Sequence, residues 1–280
     1  MGLLSGLEKL GLGNFEEVEV YENNVDNALL KAGVKSNEEV EQEEKEYLFD
    51  KKYDCPVCDH KFVSKTVKIG KIKATSHDTD LRPRYSTLDA LKYDVVVCPK
   101  CGFAAMNRFF KPLSTSQRRW VKEQIGNKFQ GLDKEPEVYS YDEAIMRHKL
   151  ALVSAVVKRA KTSERAYCCL KIAWLYRGKA EIETDEENKK QLQVEELEMI
   201  EKAYEGFDEA FSKERFPMCG MDELTVTYLV ADLARQLCKY DAALRWVGRI
   251  IIAKNANERV KDKARTLRDL INEEKKRQFC

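Results

Sequence analysis

Long apolar runs are missing from this chain. No stretch of its 280 residues approaches the roughly 20 apolar residues that a membrane-spanning helix needs. An excess of charge is missing as well. The 49 lysines and arginines stand against 48 aspartates and glutamates, a formal +1, so no global field draws the whole chain to nucleic acid or to a membrane surface. The opening residues, MGLLSGLEKLGLG, lack a basic stretch followed by an extended apolar core. Position six is Gly6, where a myristoylation signal wants serine or threonine. The expectation is a cytoplasmic protein with no membrane association. The nine cysteines are an odd number, which argues against a closed disulfide framework. In a reducing compartment, paired cysteines serve metals or redox chemistry more often than structural bridges.

What is present is a folded, charge-rich composition, 43% apolar and 35% charged, long enough for one or two domains. Four of the cysteines form two C-P-x-C units, Cys55–Cys58 and Cys98–Cys101. Each unit places two thiolates on one tight turn, and two such turns supply the tetrahedral four-sulfur shell that zinc prefers. Pro56 and Pro99 fix φ at the first corner of each turn. Gly102 follows the second unit and gives the permissive backbone needed there. Asp59 holds that place in the first, and aspartate tolerates a left-handed backbone better than most residues. The expected site is Cys55, Cys58, Cys98 and Cys101 around one zinc ion per chain. Iron suits the same four sulfurs. A redox C-P-x-C would open a helix inside a βαβ unit, and no such text surrounds either pair. A catalytic zinc usually mixes histidine with cysteine. His60 and His77 lie nearby but read as loop or surface residues.

The two pairs are farther apart than the 15–20 residues, approximately, of a compact zinc ribbon, so the intervening segment must hold its own strands and a loop. Val67 and Ile69, then Ile72 and Ala74, flank Gly70-Lys71 and suggest a β-hairpin. YDVVV at 93–97 reads as a further strand. Residues 51–125 are therefore expected to form a small β-rich, zinc-ribbon-like module. The segment before it, 1–50, is acidic from residue 16 onward and reads as a solvated linker or loosely formed helix, with a docking tail for a basic partner as the sharper reading. Leu3, Leu4, Leu7 and Leu10 sit at helical spacing at its start.

From about Ser140 the pattern is helical to the end. Five to seven antiparallel helices are expected over 140–280, with a polar break at TDEENKK and a long helix over 189–216 ended by Pro217. Ala231, Ala234, Tyr240, Ala243, Val247 and Ile250 follow the small and large positions of a tetratricopeptide-like pair, although no strict repeat survives and a non-repeating bundle is the alternative. Trp174, Leu175, Tyr176, Tyr204, Phe207, Phe211, Tyr228 and Trp246 are expected in the core. Cys168, Cys169, Cys219 and Cys238 are expected as small buried hydrophobes, and Cys280 as an exposed thiol. The fold class is α+β, mostly α: the metal module followed by an antiparallel helical-hairpin array.

A second candidate site is the loop HDTDLRPRY, which gathers His77, Asp78, Asp80, Arg82 and Arg84. Its carboxylates could bind a hard cation or act as acid and base, or simply pair with the neighbouring arginines and backbone N–H groups. Further on, Arg108, Lys111, Arg118, Arg119 and Lys122 intersperse with Phe109, Phe110 and Trp120. That mixture could hold single-stranded nucleic acid or pack a junction.

The stretches CPVCDHKF, HDTDLRPRYSTLDALKYDVVVCPKCGFAA and LKIAWLYR together resemble the bacterial family known as domain of unknown function 2225, over roughly residues 50–250. The resemblance implies a cytoplasmic bacterial protein with a zinc-ribbon-like front and a tetratricopeptide-like back. It maps Cys55, Cys58, Cys98 and Cys101 onto the family's paired cysteines, and Asp78, Asp80 and Arg82 onto its charged loop. It implies no established activity. The leading functional expectation is a non-enzymatic zinc-binding scaffold whose helical array takes a protein partner. The alternatives are a nucleic-acid-binding regulator using Arg82, Arg84 and the 108–122 stretch, and a metal-dependent enzyme centred on His77, Asp78 and Asp80.

Overall fold

The protein, as a computed structural model, is described over residues 7–12, 44–68, 70–132 and 135–278. Its front part contains three antiparallel two-stranded ladders, each of which closes over one loop. β1 (Leu48–Asp54) pairs with β2 (Lys61–Val67) across the first cysteine turn. β3 (Ala74–His77) pairs with β4 (Pro83–Tyr85) across the charged loop. β5 (Val95–Val97) pairs with β6 (Ala104–Met106) across the second cysteine turn. The hairpin expected around Gly70-Lys71 depends on Ile69, which lies outside the described residues. A turn is there, with Lys71 N–H donating to the Lys68 carbonyl at 3.2 Å and Gly70 at φ 89, but it joins β2 to β3, which lie in separate ladders. The cysteine turn closes the first ladder: Cys55 N–H donates to the His60 carbonyl at 2.9 Å, and β2 pairs with β1.

Seven helices follow among the described residues. α1 (Thr115–Val121) starts at a reciprocal cap between Ser114 and Gln117 and runs on as a wider turn over Lys122–Gly126. Then come α2 (Tyr141–Val157), α3 (Thr162–Ile182), α4 (Glu186–Lys213), α5 (Glu223–Gln236), α6 (Tyr240–Ile252) and α7 (Glu258–Gln278), each packed on its predecessor. The polar break before α4 is shorter than its text suggested. Asp185 accepts from Asn188 N–H at 2.8 Å, and Glu186 and Glu187 sit in the first turn, where the helix dipole favours anions. The helix therefore begins at residue 186 rather than 189.

A small separate cluster holds Leu48, Leu88, Tyr93 and Tyr139; the main core is continuous. It runs from Leu7 and Leu12 through the cysteine turns and Phe103 to Ile271 at the far end of the array. Trp174, Leu175, Tyr176, Phe207 and Trp246 are buried in it, with Tyr204, Phe211 and Tyr228 packed at its edge. Ala231, Ala234, Ala243, Val247 and Ile250 are buried on α5 and α6, so the small and large positions read from sequence do mark the side of each helix that is packed. Cys168 and Cys169 are buried and Cys219 is half-buried, but Cys238 is exposed. It sits at φ 56, two residues past the end of α5, in the turn between α5 and α6. Leu3, Leu4, most of the acidic stretch and Cys280 lie outside the described residues.

The β5–β6 ladder is seated directly on α2. Val95, Val96, Val97, Ala104, Ala105 and Met106 are all buried, and the Ala104 N–H donates to Ser154 Oγ of α2 at 3.1 Å. This bond satisfies a strand amide that would otherwise be buried without a partner. Ser154→Ala is expected to lower stability by about 1–3 kcal/mol, the cost of an orphaned buried donor, read as a shift in the denaturant midpoint.

Candidate metal centre

The two cysteine turns are built alike. In the first, Asp59 N–H donates to the Cys55 carbonyl at 3.0 Å, and in the second, Gly102 N–H donates to the Cys98 carbonyl at 2.9 Å. Asp59 and Gly102 occupy the same left-handed corner, at φ 57 and φ 67, as their positions in sequence predicted. Glycine is needed at 102 for a second reason: a Cβ there would lie 2.5 Å from Cδ2 of Phe129. At the first turn, Arg118 of α1 donates to the Val57 carbonyl at 3.3 Å and to Asp59 Oδ2 at 2.8 Å. Each turn is therefore braced from outside, one by a guanidinium and the other by an aromatic ring.

The turns bring all four sulfurs together. The Sγ atoms of Cys55, Cys58, Cys98 and Cys101 lie within 4.8 Å of one another. Cys55 Sγ is 3.6 Å from Cys101 Sγ, and Cys58 Sγ is 3.6 Å from Cys98 Sγ. Both pairs cross between the turns and are far too long for disulfides, whose S–S bond is about 2.05 Å. They suit the edges of a tetrahedron: four sulfurs at about 2.3 Å from a zinc ion stand about 3.8 Å apart. Cys55, Cys98 and Cys101 are buried and Cys58 is half-buried. The cluster contains no histidine and no carboxylate. His60 contributes its carbonyl to the turn, while its ring stacks 6.3 Å from that of Phe62. Crowding divides the thiols. Hydrogen bonding from Cys101, then from Cys55, holds Cys98 down at about 4, and the contacts with Cys55 and Cys98 push Cys101 up. Four thiols in contact cannot all ionise unaided; a divalent cation would hold all four as thiolates.

The charged loop has a different fate. Asp80 is fully buried, and Arg82 nearly so. Asp80 Oδ2 accepts from Arg177 Nη2 at 2.7 Å, Trp174 Nε1 at 3.0 Å and Gln236 Nε2 at 3.3 Å, and its Oδ1 accepts from Arg82 N–H. Asp78 takes Arg84 at 2.5 Å and Arg177 at 3.1 Å. Arg82 and Arg84 both reach Glu181, and Arg177 also reaches Glu196 at 2.6 Å. Arg82 passes so close to α3 that a Cβ on Gly178 would lie 2.8 Å from Nη2. His77 stays exposed on β3, away from this network. The local pairing expected from sequence is there in Asp78–Arg84 and the Arg82 amide. The larger part of the network comes from α3, α4 and α5, through Trp174, Arg177, Glu181, Glu196 and Gln236. Those partners were missed. The available signal was an arginine inside IAWLYRGK, a stretch otherwise fit for burial. Downstream, Phe109, Phe110 and Trp120 pack against the core. Arg159 lies over the Trp120 ring and Arg108 over Tyr167, while Lys111 and Lys122 are exposed.

Residues 48–271 match the model of a family described as "Uncharacterized protein conserved in bacteria (DUF2225)". The chain belongs to this family. No curated protein and no solved structure matches it. The DUF2225 match spans both cysteine turns, the charged loop and nearly the whole helical array, so the paired turns and the array lie within one family unit. No described helix is long and apolar enough to cross a membrane.

Three outcomes follow for this DUF2225 protein. Cys58→Ser is expected to abolish stoichiometric metal binding and disorder the β1–β2 hairpin, checked by elemental analysis and by faster amide exchange over 48–67. Arg177→Ala is expected to cost about 3–5 kcal/mol, because it leaves Asp80 buried without its cation. Burial drives the Asp80 carboxyl upward, but Arg177, with Gln236 and Trp174, outweighs that and holds it below the ordinary 3.8. The stabilisation is then complete above the ordinary carboxylate range and fades as pH falls through the lower folded-state value. Asp80→Asn should therefore flatten the acid limb of a stability–pH curve, and an unchanged limb would refute this assignment.

Proposed function

We propose that this protein is a non-enzymatic, zinc-stapled scaffold of the bacterial cytoplasm whose helical array receives a protein partner. The convergence of four cysteine sulfurs with no histidine or carboxylate among them carries the reading. A closed four-sulfur shell belongs to structural zinc, whereas catalytic zinc keeps a position open. Cys55, Cys58, Cys98 and Cys101 would hold the ion, which would supply folding free energy to strands too short to be stable alone. Asp78 and Asp80 are taken up by arginines, which leaves the loop a strut between ladder and array.

Support for a partner comes from the array's surface. Val194 and Leu197 lie three residues apart on α4 and are 49% and 46% exposed, so they share one solvent-facing side. An arrangement of stacked helical pairs offers an extended surface for such contacts. Elemental analysis of the purified protein is expected to return one zinc per chain. A partner captured from a bacterial lysate should be lost when Val194 and Leu197 are both changed to glutamate, with zinc content unchanged. Iron in place of zinc, or capture indifferent to those changes, would remove the corresponding half of the proposal.

A further inference from the structure

One short segment touches both cysteine turns. At its start, Arg118 of α1 donates to the Val57 carbonyl and to Asp59. At its end, Phe129 covers Gly102, and Gly126 passes so close to the second turn that a Cβ on it would lie 3.7 Å from the Cys101 Cβ. Between these points Val121 and Ile125 are fully buried. Gln117 ties the segment to the end of α2, donating to the Lys158 carbonyl at 3.1 Å, and Trp120 stacks with Arg159 of the same corner. Residues 114–129 therefore form a splint laid across the two turns, and the core holds that splint in place without help from the sulfurs.

The splint grips the two turns unequally. At the second turn its contacts are apolar, and the ladder behind that turn is buried on α2. At the first turn its contact is polar and comes from the one Arg118 side chain, and the ladder behind keeps much of its surface in solvent. Cys58, in this first turn, is half-buried, whereas the other three cysteines are buried. Arg118 reaches the metal-binding sulfurs through a single peptide unit. The Val57 carbonyl that it holds shares a plane with the Cys58 N–H. That N–H faces Cys55 Sγ, as does the Val57 N–H, at 3.4 Å. Outer contacts of this kind orient a ligand and keep it on its metal. The Arg118–Asp59 pair stands in solvent and contributes little by charge alone. Its effect is to keep the guanidinium aimed at the carbonyl, a two-point grip that the single ammonium of a lysine does not reproduce.

We propose that Arg118 is the positioning residue that sets how long the metal is retained. The first turn opens to release zinc when Arg118 lets go of Val57 and Asp59, while Cys98 and Cys101 stay with the core. This rests on the zinc reading above and goes beyond it, since it gives the staple one weak side and names its latch.

The test follows zinc release from the full, zinc-loaded chain into excess pyridylazoresorcinol, a chromophoric chelator. The chelator is raised until the rate no longer climbs, so that opening of the site is limiting. Arg118→Ala should release zinc about tenfold faster, the equivalent of its two lost contacts. Asp59→Asn keeps the left-handed corner and should accelerate release by about threefold. The two effects should not add in the double variant, because both act on one grip. Arg119→Ala, one residue along the same helix with Glu123 at 4.0 Å as its neighbour, should release at the parent rate. Far-ultraviolet circular dichroism and starting zinc content should match the parent throughout. Brief iodoacetamide labelling during release, mapped by peptide mass spectrometry, should find Cys55 and Cys58 modified ahead of Cys98 and Cys101. Parent-like release from Arg118→Ala would overturn the proposal. So would equal acceleration by Arg119→Ala, full additivity with Asp59→Asn, or labelling of Cys98 and Cys101 first. A purified chain without zinc would overturn the zinc reading and this one together, whereas one zinc per chain with unchanged release rates would overturn this one alone.

Discussion

Two short turns, separated by some forty residues of chain, must present their sulfurs to the same point. That requirement organises the front of the molecule. Each turn is the closed end of a two-stranded ladder, and a two-stranded ladder is marginal in water. The first ladder keeps much of its surface in solvent. Convergence of Cys55, Cys58, Cys98 and Cys101 ties it to the second, which is buried on α2. The stability of the exposed hairpin is therefore drawn from the helical core, through four sulfurs and the brace that Arg118 provides.

The charged loop between the turns is a second clasp, of opposite chemistry. It puts a carboxylate where no water reaches and relies on Arg177, Trp174 and Gln236 to satisfy it. Buried ion pairs of this kind add little net stability against an apolar replacement, but are costly to break by halves. Their value here is positional: α3 and α5 both contribute partners, so the loop has one seat.

The cysteine turns were legible because their chemistry is local. Proline, two cysteines and a left-handed corner within five residues specify a shape, and Asp59 and Gly102 adopt it. The helices were legible from periodicity, and Asp185 shows how far one capping residue moves a boundary. The pairing of β1 with β2 and of β3 with β4 was not legible, because a turn residue specifies a reversal without saying which strand comes back to pair. The loop's partners were hidden for a like reason: Asp80 and Arg177 are 97 positions apart, and nothing in either neighbourhood names the other. The change of sign was visible at Lys51, but which of the arginines beyond it pair with which carboxylates required coordinates.

That long separation has a bearing on biosynthesis. A ribosome releases Asp80 well before Arg177 and Gln236, and at about 5–20 residues per second the delay is on the order of 5–20 s. During that interval a carboxylate destined for the interior lacks the cation that will pair with it. The front of the protein thus cannot reach its final arrangement until α3 and α5 have been made.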